Sequence, residues 1–307
     1  RQMIVSARDQ MPAPSTYPLA HLPPSALAAI QQFVARYATE IEAPLAIADI
    51  YPASPMQEGL LFQSLLAQDG GVYVEQMHCT LNGRFNPQLF HAAWQQVVDE
   101  TPILRTLFVW DEPEQPHQVV LADLPLPFAY QDLRDMAKAA QADALQQFCV
   151  QQRQEIFDFR RPPLQRLAII RTDEQAHHLV WSHHHLLLDG WSVSLLLQRV
   201  LQLYQQIAQG AAVRRASLPA YRDYIAWLAA HDSRDAQQFW QAHLAGVQNP
   251  TAVPGIKPHT AETKIEECTI ALTAELTNEL TAVAQQHHLT LNTCIQAAWA
   301  LIVHHYS

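Results

Sequence analysis

The chain has 307 residues, 49% of them hydrophobic and 16% charged, which allows one large or two medium domains and excludes a disordered, low-complexity protein. A formal net charge of -10 excludes a grip on the phosphates of nucleic acid, which needs clustered Lys and Arg. Cys79, Cys149, Cys268 and Cys294 are scattered without CxxC spacing, no apolar run reaches membrane-spanning length, and the start Arg1-Gln2-Met3-Ile4 has no secretory core. These features predict reduced thiols, no membrane span and a cytoplasmic location.

Residues 1–24, with Pro12, Pro14, Pro18, Pro23 and Pro24, read as an extended leader or linker. A helix is predicted over 25–40, with Leu27, Ile30, Phe33, Val34 and Tyr37 on one face, as a packing element that belongs to whatever precedes the main domain. Ser54-Pro55-Met56-Gln57 is a helix start: Ser54 as N-cap, Pro55 in the first turn, Gln57 closing a capping box. Gly59 follows inside that helix, where it costs about 1 kcal/mol against Ala and predicts a close backbone neighbour. A strand over 72–81 comes next. Asn86-Pro87 then caps a helix whose Leu89, Ala93, Val97 and Phe90, Trp94, Val98 rows face a sheet.

Strands are predicted over 103–110 and 115–121, the first carrying Arg105, whose guanidinium needs a partner if buried. A helix over 135–157 leads to a strand over 164–171, a turn at Thr172-Asp173-Glu174, the strand ending in the histidines, and an amphipathic helix over 192–209. Sheet with helices against it is the architecture this order predicts. After Leu218-Pro219 the pattern turns helical, over 221–231 and 233–245. A loose stretch over 249–259, a strand over 264–272 and helices over 274–288 and 292–306 follow; His287-His288 and His304-His305 read as solvated helix ends.

The chemistry concentrates in Ser182-His183-His184-His185-Leu186-Leu187-Leu188-Asp189-Gly190-Trp191-Ser192. Strand side chains alternate faces, so His183 and His185 should point one way and His184 the other. Asp189, past the leucine turn, could orient an imidazole or anchor the loop through a cation, and Gly190 predicts a backbone conformation closed to other residues. On the residues alone three readings stand: a polar strand end or hydrogen-bonded core histidines, acid/base chemistry by an imidazole that titrates near neutrality, and a metal site. Metal is the weakest, because neighbouring histidines on opposite faces converge poorly and no Cys pair or HExxH helix supplies further ligands.

Four blocks in order carry a resemblance over residues 48–307. They are Tyr51-Pro52-Ala53-Ser54-Pro55-Met56-Gln57-Glu58-Gly59-Leu60-Leu61-Phe62, Ile103-Leu104-Arg105-Thr106-Leu107-Phe108, His184-His185-Leu186-Leu187-Leu188-Asp189-Gly190 and Tyr221-Arg222-Asp223-Tyr224-Ile225-Ala226-Trp227. The third is the HHxxxDG signature. Together they resemble the condensation domains of nonribosomal peptide synthetases, a branch of the chloramphenicol-acetyltransferase-like acyltransferases. The opening block is similar to the subtype that accepts a donor ending in a D-residue.

The resemblance implies an α/β fold: a chloramphenicol-acetyltransferase-like two-lobe sandwich of mixed sheet and helices, with residues 1–47 preceding the domain, 48–215 a complete first lobe and 216–307 the start of a second lobe that continues further in the family. It implies amide formation between a donor acyl or peptidyl thioester and an acceptor aminoacyl thioester. Both ride on phosphopantetheine arms of an upstream and a downstream carrier domain, beside further synthetase domains, with no metal or bound cofactor. His185 is implied as the residue at the substrate tunnel, His184 as its structural neighbour, Gly190 as a backbone oxyanion donor, and Ser54, Met56, Gln57, Gly59, Trp191 and Ser192 as tunnel candidates. Arg105 is implied to pair with Asp189, a scaffold contact whose loss would cost about 3 to 5 kcal/mol. An epimerisation domain, a coenzyme A-dependent acyltransferase and a non-catalytic carrier-docking module are the alternatives of the same ancestry.

Overall fold

The computed structural model describes residues 17–67, 72–111, 115–213, 216, 219–248 and 268–306. Two compact units divide the chain, Arg1–His231 and Asp232–Ser307.

In the first unit, helix α1 (Pro24–Glu40) buries Leu27, Ile30, Val34 and Tyr37. Its stripe packs on Ile50, Leu107, Val119 and Leu121 of a three-stranded antiparallel sheet, ordered β1 (Ile47–Pro52), β4 (His117–Leu121), β3 (Thr106–Val109). Helix α1, expected to precede the main domain, thus covers one sheet of the first compact unit. Strand β1 escaped the sequence reading because its six residues mix Asp and Pro among the apolar positions. The strand expected over 103–110 begins as a 3-10 turn, Pro102–Arg105, and only then extends as β3.

The second sheet has the order β2 (Val74–Asn82), β7 (Ala176–His184), β6 (Gln165–Asp173), β5 (Phe128–Asp132). It is mixed, since β5 runs parallel to β6 while the other pairs are antiparallel. Strand β5 was not foreseen: it is a polar edge strand, largely exposed, behind the run Leu124-Pro125-Leu126-Pro127. One face of this sheet receives helices α3 (Pro87–Glu100) and α5 (Gly190–Ala208), whose Phe90, Trp94, Val97, Leu196, Val200 and Leu203 join Leu167, Ile169, Leu179 and Trp181 in the main core. Helix α4 (Lys138–Gln154) covers the other face through Cys149 against Ala168, Ile170 and Val180.

The caps agree with the sequence. Asn86 accepts from the Gln88 and Leu89 amides, and helix α2 (Pro55–Leu66) opens with the complete Ser54–Gln57 capping box. Gly59 is exposed, and a Cβ there would meet no atom within 4 Å, so the expected close neighbour is not present.

Helix α6 (Tyr221–Ala230) packs with the first unit rather than the second. Ile225 joins Tyr51 and Val120 in a small core, and Arg222 pairs with Asp49 at 2.7 Å, so α6 lies in the same compact unit as the two sheets. The second unit holds α7 (Arg234–His243), α8 (Ala274–Gln286) and α9 (Leu291–Tyr306), with α8 packed on α9. The strand expected over 264–272 lies partly outside the described residues, and 268–272 form no strand. Among the described residues no helix is long and apolar enough to cross a membrane.

The stripe on α5 gives a direct check of this packing. Leu203 is fully buried whereas Leu201, two residues earlier, is half exposed. Leu203→Ala is expected to destabilise by about 2 to 5 kcal/mol and Leu201→Ala to stay within about 0.5 kcal/mol; urea denaturation midpoints of the two variants would decide.

Candidate active site

The register of β2 on β7 builds the site. Leu81 lies opposite His177, Cys79 opposite Leu179, Met77 opposite Trp181 and Glu75 opposite His183. With side chains alternating, these pairs share the face that α3 and α5 cover. The apolar row thus ends in a polar group, with His185 one step past the strand on the same side, as the alternation predicted. Glu75 Oε2 lies 3.3 Å from His183 Nε2 and its Oε1 lies 3.0 Å from His185 Nδ1. Both approaches are oblique rather than in line, so these are close charge contacts only, and neither ring nitrogen has a hydrogen-bond partner.

The three rings have different surroundings. His183 is buried and stacks on Trp181 with 4.4 Å between centroids. His184 points to the other side, edge-on to Phe159 and Tyr73. Its Nδ1 accepts the Leu186 amide at 3.1 Å, which leaves the proton on Nε2, 3.2 Å from Ser64 Oγ; that hydroxyl in turn donates to the Leu60 carbonyl at 2.7 Å. Burial pushes both His183 and His184 down to about 4, so both are neutral at physiological pH. His185 differs: its Nδ1 is buried toward Glu75, yet 32% of the side chain stays open, leaving the Nε2 edge as the accessible one.

The turn after the histidines is rigid for hydrophobic reasons. Leu186, Leu187 and Leu188 are all buried in the main core, and the Leu187 amide bonds back to the His184 carbonyl. Gln57 holds the turn from α2: its Nε2 donates to the Leu186 carbonyl at 3.2 Å and to Gln118 Oε1 at 3.0 Å, while its Oε1 accepts from the Ser54 amide. Tyr221 Oη lies 3.3 Å from both Ser54 Oγ and Gln57 Oε1. Of the residues expected at a tunnel, Ser54 and Gln57 are buried and hydrogen-bonded in this network. Met56, Gly59 and Trp191 lie on exposed surface of α2 and α5, and Ser192 is half-buried.

Two expectations about the motif's Asp189-Gly190 pair are corrected. Asp189 does not pair with Arg105: it is exposed and serves as N-cap of α5, accepting the Ser192 amide at 2.8 Å, and that hydrogen bonding holds its carboxyl below the usual range. Arg105 is buried and its guanidinium donates to backbone carbonyls, those of Val98 (2.9 Å) and Asp99 (3.2 Å) at the end of α3 and those of Leu121 and Ala122 at the end of β4. A helix C-terminus leaves carbonyls without intrahelical donors, and Arg105 satisfies them. Gly190 opens α5 without a positive φ, and a Cβ on it would meet no atom within 4 Å, so the expected special conformation is absent; its amide is one of the unpaired first-turn donors of a helix.

Sequence reading missed Glu75, Tyr73 and Ser64. Glu75 carried a signal: it sits in the inward phase of Met77, Cys79 and Leu81, where an acid is out of place. Tyr73 has a left-handed backbone, φ 61°, and its carbonyl accepts the His185 amide at 2.9 Å, a constraint invisible in sequence. An ion pair between Arg199 of α5 and buried Glu100 of α3, with two contacts of 2.9 Å, was likewise not foreseen. Among the described residues no group of three or more His, Cys, Asp or Glu side chains is arranged to hold a metal ion.

Arg105→Ala is expected to destabilise by about 3 kcal/mol or more, since it strips charged hydrogen bonds from buried carbonyls, and Asp189→Ala by about 1 kcal/mol, the loss of one cap; equal losses in chemical denaturation would contradict this division. The pH dependence follows from proton counts. Between 6.5 and about 4 the unfolded chain protonates histidines that His183 and His184 keep neutral in the native state, so stability falls as pH falls through that window. Unfolding midpoints at a series of pH values should show this slope, and it should flatten in His183→Phe.

The condensation-domain family model matches residues 47–307. The chain is 37% identical over 297 residues to one of the linear gramicidin synthase subunits of Brevibacillus parabrevis, covering 96% of this chain and 4% of that protein. It is 31% identical over 264 residues to bacitracin synthase 1 of Bacillus licheniformis, covering 85% of this chain and 5% of that protein. The chain thus spans a small part of each relative's length. Among solved structures, the first condensation domain of the calcium-dependent antibiotic synthetase superposes with a TM-score of 0.68 at 18% identity, covering 84% of this chain and 61% of that one. The starter condensation domain of rhizomide synthetase superposes with a TM-score of 0.59 at 23% identity, covering 66% and 50%. With the fold shared and the family match running from β1 to the last described helix, the chain belongs to the condensation-domain family of nonribosomal peptide synthetases.

Proposed function

We propose that this chain forms an amide bond between a donor acyl or peptidyl thioester and an acceptor aminoacyl thioester, each delivered on the phosphopantetheine arm of a carrier domain. The observation that carries the reading is the asymmetry of the motif histidines: His184 is neutral, buried and fully engaged, whereas His185 keeps an open Nε2 edge at the end of β7.

The acceptor amine attacks the donor carbonyl carbon and the C–N bond forms. His185 Nε2 takes the amine proton as positive charge grows on nitrogen, the tetrahedral intermediate collapses, the C–S bond breaks and the departing thiolate receives the proton. Thiolate leaves readily, so alignment of the two arms supplies much of the gain, about 7 kcal/mol or more in well-oriented reactions. The first-turn amides of α5, Gly190 among them, are donors suited to the oxyanion. Rigid placement of His185 is the protein's contribution, through the buried leucine turn, Gln57 and the Tyr73 carbonyl.

The opening block Ser54-Pro55-Met56-Gln57-Glu58-Gly59 supports a donor that ends in a D-residue. The carriers sit upstream and downstream of this domain, beside other synthetase domains, and the free thiols of Cys79, Cys149, Cys268 and Cys294 fit a cytoplasmic enzyme.

The test uses a protein that carries this chain in its natural context, mixed with one acyl-loaded and one aminoacyl-loaded carrier. Intact-mass spectrometry should find the donor acyl mass on the acceptor, at a rate at least about 100-fold lower for His185→Ala. Transfer from L- and D-ended donors compared side by side should favour the D-ended one. Equal rates for wild type and His185→Ala, or no transfer from any donor while both carriers bind, would overturn the reading.

A further inference from the structure

We propose that Glu75 is a positioning residue for His185: its carboxylate holds the imidazole in the Nδ1–H tautomer and thereby presents the Nε2 lone pair at the open edge of the ring. The inference rests on the role given to His185 above, and nothing in the HHxxxDG motif itself contains it.

Four observations support it. Glu75 Oε1 is 3.0 Å from His185 Nδ1, and that nitrogen is buried with no hydrogen-bond partner, so a modest ring or carboxylate rotation would give it its first. A buried ring nitrogen beside a carboxylate is better occupied by a donor N–H than by a lone pair, because two acceptors facing each other repel. The oblique approach is within reach of a small ring rotation, and such contacts commonly tighten only when substrate is bound. Glu75 is also held where it is: the β2–β7 register sets it opposite His183, whose ring is stacked on Trp181 and whose Nε2 lies 3.3 Å from the second carboxylate oxygen.

The arrangement is a row, His183, Glu75, His185, in which the outer imidazole steadies the carboxylate and the carboxylate steadies the reactive ring. His183 is neutral at working pH, so it sets no competing positive charge beside Glu75. Asp189 is the other charged group near His185, and it is turned to the α5 amide of Ser192. His184 faces the opposite side and is occupied by Leu186 and Ser64. Glu75 is therefore the one carboxylate among the described residues within hydrogen-bond range of the His185 ring. The logic is that of a base whose second nitrogen is oriented by an acid, reached here from an adjacent strand rather than from the motif loop.

The test has two readouts. In the 307-residue chain with histidine labelled at both ring nitrogens, two-bond proton–nitrogen spectra at pH 8 report the tautomer of each imidazole. His185 should be Nδ1–H in the wild type, shift toward Nε2–H in Glu75→Met, which keeps the side-chain length but has no oxygen, and remain largely Nδ1–H in Glu75→Gln, which keeps an acceptor. Glu75 is 45% open, so these variants should fold, and their thermal melts would confirm it. In the natural protein with loaded carriers, Glu75→Met should lower kcat by about 10- to 100-fold with KM for both carriers nearly unchanged, and Glu75→Gln should recover part of the loss.

An unchanged His185 tautomer in Glu75→Met, or an unchanged kcat, would overturn the inference. The two readings separate cleanly. A tautomer that moves in a protein that joins no substrates leaves the positioning role standing and removes the condensation reading. Wild-type kcat in Glu75→Met does the reverse.

Discussion

The pairing of β2 with β7 is the constraint on which the site depends. An antiparallel register fixes residues two by two, and a slip of one would carry Glu75 away from His183 and put His184 on the helix-covered face. Burial prevents the slip: Leu179 and Trp181 must stay in the main core under α3 and α5, and with them the phase of every residue up to His185. The hydrophobic effect thus sets the address of a polar group. Its strand-end position leaves the group partly open, since the last residues of the row run past the helices that cover the rest.

Around that row the backbone is secured by polar contacts aimed at carbonyls. Gln57 holds the Leu186 carbonyl, the Tyr73 carbonyl holds the His185 amide, and Arg105 gathers four carbonyls at the meeting of α3 and β4. A buried carbonyl without a donor is costly, so each contact both satisfies a group and fixes a loop. Arg105 and Asp189 both belong to motif blocks but serve separate ends here. One closes a helix C-terminus from within, the other opens a helix from the surface.

Three consecutive histidines illustrate how environment divides one chemistry into different roles. Burial makes His183 and His184 poor proton acceptors and good fixed dipoles, while His185 retains an open edge. The division needs only strand alternation and the end of the helical cover. Glu75 then links two of the three across strands, so the functional unit is assembled from β2 and β7 rather than from one contiguous motif.

Much of this was legible in the sequence where the signal is local. The capping box at Ser54 and Gln57, the Asn86 cap, the apolar stripes of α1, α3 and α5 and the opposed faces of His184 and His185 all depend on residues within a few positions of each other. The four motif blocks likewise sufficed to identify the family. Polar edge strand β5 and short β1 were not legible, because a strand's identity there comes from the neighbour it pairs with and not from its own pattern. The same holds for partners. Sequence could say that Arg105 needed one and that Asp189 stood near the histidines, but only the tertiary structure decided that Arg105 goes to carbonyls and that Glu75, 110 positions before His185, supplies the carboxylate. Local propensity acts over a turn or two of chain. Which distant groups meet is settled by packing, and packing is what places the chemistry.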